Sequence, residues 1–345
     1  MDAQSKKRSR IALAALTLAL LVCATVPAIW FGARFWAVTA IDTWREQERL
    51  AGREWTCATP ATSGFPFRLV YVCPEPTVRF AGRAGAAHAT ARSLEISASL
   101  ADPLLLEARL SGPFTFAETA GPNASFDWKR FEVDLRFGLT GLRDSAMRIE
   151  GLEATAQDPQ LNARRIAADS IALAVRGLDR DAADLSASAT GLDAPDAEKL
   201  TGLRDLIGLQ FAGRLMRPDL LNLADMPFAI DDWRGGGGEL EVSRFDLSQG
   251  AASVVLDGRL GLDDRRRARG SLNVAATGLD PVLRRYGLSP AALSIGNVLG
   301  GLLGGRPKGE TPTGGGPTLR LPLALRDGFV FVGPVRAPLV LLPLY

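Results

Sequence analysis

The chain is 345 residues long, room for one large domain or two average ones, and its 47% apolar and 23% charged content excludes a disordered or collagen-like protein. Lys and Arg number 40 against 38 Asp and Glu, a net charge of +2 that lacks the basic excess a nucleic-acid binder needs. With one histidine, His88, and three cysteines, Cys/His zinc sites and histidine-based triads have almost no raw material.

The N-terminus carries the strongest signal. Residues 1–10 form a basic tail with Lys6, Lys7, Arg8 and Arg10, and an uncharged run from Ile11 to Ala33 follows before Arg34. At ~1.5 Å per residue that run makes a helix of about 34 Å, enough for a hydrocarbon core of roughly 30 Å, so residues 11–33 are predicted to span a membrane. The basic tail then stays in the cytoplasm, and the chain beyond Arg34 lies on the far side. Val26-Pro27-Ala28 offers small residues to a signal peptidase. The apolar run is nevertheless long for a cleavable signal and continues through Trp30, Phe31, Phe35 and Trp36, so a retained signal anchor is the favoured reading. Those four aromatics fit a belt at the outer interface. Cys23 follows Leu20-Leu21-Val22 rather than the small residue of a lipoprotein signal, and reads as lipid-facing or buried filler.

From Val38 to Arg53 the mix of Ile41, Trp44 and Leu50 with Asp42, Arg45, Glu46 and Glu48 continues a helix out of the membrane, with Gly52 as its stop. Next come Cys57 and Cys73, which flank a turn and a strand. Outside the cytoplasm they are expected to form a disulfide, and closing that loop contributes about 3 kcal/mol. A redox pair or metal site lacks both the spacing and the histidines. Between the cysteines lies Gly64-Phe65-Pro66-Phe67-Arg68. Gly64 is free to take a positive φ and Pro66 holds Phe65 extended, so this is a turn that feeds a strand and fixes it to a core through its two rings. The functional alternative makes Phe65, Phe67 and Arg68 an exposed lipid or partner contact.

This motif, directly after a membrane anchor, a short helix with Trp44 and a polar stretch, resembles the DUF2125 family of uncharacterised bacterial envelope proteins. Leu104 to Phe116 followed by Trp128, and the closing stretch from Leu321 to Pro334, are similar to that family's middle and C-terminal segments. The resemblance implies an inner-membrane anchor and a periplasmic β-rich domain over residues 38–345. It implies no activity, cofactor or catalytic residue.

Beyond Arg68 the period is two. Phe131, Val133, Leu135, Phe137 and Leu139 alternate with Glu132, Asp134, Arg136, Gly138 and Thr140, the pattern of a half-buried strand. The same alternation recurs at Leu94–Ala98, Leu104–Leu110, Ile171–Val175, Leu272–Ala276 and Leu319–Leu325, so a dozen or more antiparallel strands are expected. Gly-Leu-Asp at Gly177, Gly191, Gly261 and Gly278 punctuates strand ends, with Gly141-Leu-Arg and Gly151-Leu-Glu as close variants. Helical spacing is confined to Asp196–Leu209 and a short segment from Asp280 to Tyr286, with Pro281 in its first turn. Pro290–Leu303, apolar all round, reads as a buried helix or a membrane-surface segment. In the stretch 304–317 nine of 14 residues are Gly or Pro, a flexible loop that interrupts one sheet without ending a domain.

The signal anchor, the half-buried strands and the Gly-Leu-Asp punctuation are similar, more loosely, to AsmA-like envelope proteins; the hairpin pattern from Leu256 to Asp280 carries most of this likeness. That resemblance implies a curved sheet with an apolar groove for lipid acyl chains. The expected fold is therefore mainly β: a large curved antiparallel sheet or groove with few short helices, preceded by one transmembrane helix.

Chemistry is sparse. His88 has no carboxylate near it in sequence and reads as a surface or strand histidine. Asp231-Asp232 and Asp263-Asp264, if in strands, face opposite sides and share no proton. Gly235 to Gly238 lacks the Lys-Ser/Thr ending of a phosphate loop. Arg265, Arg266, Arg267 and Arg269 form a basic tip that reads as a solvated hairpin with facing aspartates. Asn123-Ala-Ser matches a glycosylation acceptor only in a cell that glycosylates there, and the bacterial resemblance argues against it. No catalytic, metal or cofactor site is expected. The expectation is a non-enzymatic, membrane-anchored periplasmic protein that binds lipid or another apolar envelope component, or alternatively a structural or assembly partner of other envelope proteins.

Overall fold

The computed structural model describes residues 2–82, 85–139, 141–158, 161–221, 228–285 and 319–344. They divide into two compact units, residues 1–125 with 158–161, and residues 126–157 with 162–345.

The first unit opens with α1 (Asp2–Leu50), a single unbroken helix. It is long and apolar enough to cross a membrane. Its threonine hydroxyls are satisfied within the helix: Thr17 donates to the Leu13 carbonyl, Thr25 to Leu21, Thr39 to Phe35 and Thr43 to Thr39. Such back-bonding lets polar side chains sit in an apolar environment. The helix ends at Gly52, as the sequence predicts. Gly52 takes φ +80°, its N–H donates to the Arg49 carbonyl, and the Arg53 N–H donates to the Glu48 carbonyl. This reciprocal pair closes the last turn, and a side chain at the positive-φ position would strain it.

Nine strands follow: β1 (Glu54–Thr56), β2 (Ala61–Ser63), β3 (Arg68–Pro74), β4 (Thr77–Gly82), β5 (Gly85–Thr90), β6 (Ser93–Ser99), β7 (Asp102–Ser111), β8 (Phe114–Glu118) and β9 (Asn123–Asp127). The first eight form two antiparallel ladders, β2–β3–β6–β7 and β1–β4–β5–β8. Alternation sets which residues share a face. In the first ladder Leu69, Tyr71 and Cys73 lie opposite Ala98, Ile96 and Leu94, which in turn face Leu106, Ala108 and Leu110.

The second unit contains β10 (Arg130–Gly138), β11 (Gly141–Asp158), β12 (Leu161–Arg176), β13 (Ala182–Leu192), α2 (Pro195–Thr201), β14 (Ile207–Met216), α3 (Phe228–Gly235), β15 (Leu240–Gln249), β16 (Ala252–Leu262), β17 (Ala268–Thr277), α4 (Asp280–Arg285), β18 (Leu319–Arg326), β19 (Phe329–Val332) and β20 (Val335–Val340). β10 and β11 form a hairpin, and from β12 to β20 every strand pairs antiparallel with the next, an open meander. Sequential antiparallel pairing needs only short connections, which fits the closely spaced turn signals. The predicted mainly-β fold with few helices and one N-terminal apolar helix is the observed one.

Several expectations need correction. The helix predicted over Asp196–Leu209 ends at Thr201, because Gly202 takes φ +74° and its N–H caps the Glu198 carbonyl; Ile207 already belongs to β14, whose period-two pattern governs Leu209. Helix α3 had no counterpart in the sequence reading, and it places Asp231 and Asp232 on a helix rather than a strand. Gly151 does not end a strand. It sits inside β11 with φ +61°, a local irregularity in an 18-residue strand. The predicted segments 290–303 and 304–317 lie outside the described residues. β17 and β18, which flank them in sequence, are hydrogen-bonded neighbours, so the interruption falls within one sheet as expected.

Candidate functional site

Outside the apolar run of α1, two surfaces present apolar side chains that are exposed or half-buried. The first is built around the Gly64–Arg68 turn, between β2 and β3. Gly64 adopts φ +96°, and a Cβ there would lie 2.5 Å from the Arg68 carbonyl oxygen and 3.2 Å from Val70. Only glycine fits so tight a return. The Arg68 N–H donates to the Gly64 carbonyl at 2.9 Å, closing the turn, and the Phe65–Pro66 peptide bond is cis.

This turn docks on α1. The Trp30 indole N–H donates to the Arg68 carbonyl at 2.8 Å, and the Trp30 and Phe65 rings meet edge-on with centroids 5.5 Å apart. Phe31 lies 6.3 Å from Phe65. Trp30 is therefore buried, and its expected place in a lipid-facing belt is corrected: it fastens the turn to the helix, while Phe31, Phe35 and Trp36 remain exposed. The expectation that both rings of the motif enter a core is corrected too. Phe67 is 71% exposed and Phe65 54% exposed, since Trp30 and Phe31 of α1 cover Phe65 only in part. The Arg68 side chain hydrogen-bonds Ser97 and pairs with Glu107 across the neighbouring strands, so its charge is matched within the sheet.

Further along the same helix, the Trp44 ring packs at a tilt against Trp55 with centroids 5.3 Å apart, and Arg45 donates to the Trp55 carbonyl. Glu48 accepts hydrogen bonds from the Arg53 guanidinium and the Trp55 indole, and these hold its carboxyl down to about 2. Cys57 and Cys73 are bonded, with Cα atoms 5.4 Å apart, as the sequence predicts. Cys73 is buried, and Cys23 is free and exposed.

The second surface is one face of the meander. Reading directly across the ladders, Leu173, Ala187, Phe211, Phe245, Leu256, Val274 and Leu321 form a row through seven successive strands. Ile171, Ala189, Leu209, Leu247, Val254 and Ala276 form the row beside it. The other face is polar: Asp184, Arg214, Glu241, Arg259 and Ser271 run across five strands in register. Here Arg214 and Asp184 pair at 2.7 Å, which holds the Asp184 carboxyl below its usual value, and Arg259 lies 3.6 Å from Glu241.

A sheet with one apolar face requires a cover. Among the described residues the cover is incomplete. Phe211, Phe245, Leu256, Val274 and Leu321 are only half-buried, Leu173 is 44% exposed, and among the described residues no large side chain is completely enclosed. The short helices stand at the strand ends. At one end Gln249 donates to the Leu203 and Asp205 carbonyls, and Arg285 of α4 donates to Lys199 of α2. At the other, the buried Trp233 of α3 donates its indole N–H to the Met216 carbonyl at 2.6 Å. Its partner lies 17 residues away, and the surrounding glycines and acids conceal α3 from pattern reading.

The titratable residues singled out in the sequence do not converge. His88 is exposed on β5, opposite Arg79 and Ala117. Asp263 takes an Arg267 side-chain pair and two backbone N–H groups; burial pushes its carboxyl up, and these bonds outweigh that and hold it low. Arg267 pairs with Asp263 and Arg266 with Asp231, so these two arginines of the basic tip are matched by aspartates, while Asp264 pairs with Arg234 of α3. Among the described residues no group of three or more His, Cys, Asp and Glu side chains is placed to hold a metal ion.

A family model described as an uncharacterised protein conserved in bacteria, DUF2125, matches residues 30–339. No curated protein and no solved structure matches the chain.

Proposed function

For a chain that belongs to the DUF2125 family of proteins conserved in bacteria, we propose a non-enzymatic role in the envelope: α1 anchors it in the inner membrane, both units lie in the periplasm, and the apolar face of the meander binds lipid or another apolar envelope component. The observation that carries this reading is the pair of apolar rows across β12–β18, half-buried in a protein whose opposite face is charged. The disulfide supports an oxidising compartment on the far side of the anchor. The arginine partners of the carboxylates at the basic tip support a structural rather than catalytic use of its charges.

The test uses the face geometry in cells. A photoreactive residue replacing Phe245 points with the apolar rows, and one replacing Arg244 points the other way. After irradiation of the full chain, phospholipid adducts at position 245 and none at 244 are expected. Equal labelling at both positions, or none, overturns lipid binding at this face. A second reading, an assembly partner, draws on β20: among the described residues it pairs with β19 alone, and Val335 and Val340 are exposed. Protein adducts at position 245 with no lipid would favour it.

A further inference from the structure

The Phe65–Phe67 turn is fixed at a particular height along α1, and that height has a consequence if α1 is the membrane anchor. The Trp30 indole holds the Arg68 carbonyl, and Phe31 and Phe65 lie ring to ring, so the turn sits level with residues 30 and 31. Arg34, the first charge beyond the apolar run, is only about 6 Å further along the helix. The turn thus meets α1 inside its uncharged stretch, where an outward-facing polypeptide meets the glycerol and upper acyl region of a bilayer. Phe67, 71% exposed, and Phe65, 54% exposed, carry no charge to oppose immersion.

A second loop stands beside the first. The Leu100 N–H donates to the Phe67 carbonyl at 2.9 Å, which joins the β6–β7 hairpin to the turn, and Leu104 at its edge is 49% exposed. Phe31, Phe35 and Trp36 are exposed on the helix at and just above this level. Apolar and aromatic side chains from the helix, the turn and the adjoining hairpin therefore gather near the outer end of the uncharged run. Aromatic rings are enriched at this depth of a bilayer because their flat apolar bodies suit the interfacial layer.

We infer that the Phe65–Phe67 turn and the adjoining β6–β7 hairpin dip into the outer leaflet of the membrane that α1 spans, as a second, monotopic contact beside the anchor. The inference rests on the anchor reading of α1 and assigns Phe65 and Phe67 to the bilayer rather than to a bound lipid in the meander. Its favourable term is apolar burial of the two rings and Leu104.

The full chain carrying Cys23→Ser, with single cysteines placed by Phe67→Cys, Leu104→Cys, Leu20→Cys or His88→Cys, is labelled with an environment-sensitive fluorophore. Each variant is reconstituted in phosphatidylethanolamine and phosphatidylglycerol vesicles. A lipid bearing a nitroxide high on its acyl chain and aqueous iodide serve as the two quenchers. Probes at positions 67 and 104 should lose most of their emission to the lipid nitroxide and little to iodide, whereas the probe at 88 should show the reverse. Iodide quenching at 67 or 104 comparable to that at 88, with position 20 still answering to lipid, overturns the inference and leaves the anchor standing. Iodide quenching at 20 as well removes the anchor reading and this inference together.

Discussion

Gly64 shows how much can depend on one missing Cβ. Its φ of +96° and the 2.5 Å clearance to the Arg68 carbonyl leave no room for a side chain, and that carbonyl also accepts the Trp30 indole. Gly64→Ala is expected to destabilise the protein by about 1–3 kcal/mol, read as a lower midpoint in chemical denaturation of the full chain. Gly52→Ala, at φ +80° with nothing within 4 Å, isolates the backbone strain alone and should cost about 1 kcal/mol. The turn at Gly64 was legible in the sequence because Gly and Pro encode local geometry. Its partner Trp30 was not, since the hydrogen bond joins residues 38 apart and the same indole reads equally well as an interface belt.

At the scale of elements, the first unit is tied together at the root of β3. The Cys57–Cys73 bond spans 16 residues, and the Ala58 N–H donates to the Pro74 carbonyl beside it. Replacing both cysteines by serine is expected to cost about 3 kcal/mol, the loop-closure term for a ring of that size, with thermal unfolding of wild type and variant as the measurement. An unchanged midpoint would show that the β3–β6 ladder alone holds this region. Strands were the most legible elements, because period-two alternation is a local signal that one wet face preserves. Helix boundaries were less so. The apolar spacing from Leu200 to Leu209 suits a helix until Gly202 breaks it, and only the pairing of Leu209 with Leu247 shows which periodicity wins.

At the scale of the whole molecule, the meander behaves differently from a closed core. Deleting a completely enclosed phenylalanine costs about 3–5 kcal/mol. Phe211 is half-buried, so Phe211→Ala should cost only about 1–2 kcal/mol in the lipid-free protein, while sharply reducing photoadducts formed from position 245, its neighbour across the ladder. A stability loss as large as that of an enclosed ring would mean that the face is sealed. The apolar rows themselves were readable from alternation, strand by strand. Their continuity was not, because it depends on register, and register is set by pairings among residues far apart in sequence.

The unbroken run of α1 into the first unit has a mechanical consequence. Forty-nine helical residues make a rod of about 74 Å, more than twice the thickness of a hydrocarbon core, with no glycine- or proline-rich joint between the apolar stretch and the packed Trp44–Trp55 pair. If α1 is the proposed anchor, a flexible tether would let the first unit wander through a hemisphere above the membrane. A stiff mast gripped at Trp30, Trp44 and Glu48 instead gives that unit a fixed standoff and a fixed bearing. With α1 as the proposed anchor, one residue inserted before Trp30 would turn the first unit by about 100° and lift it by ~1.5 Å, so the bearing of that unit on a membrane is counted out in helical residues.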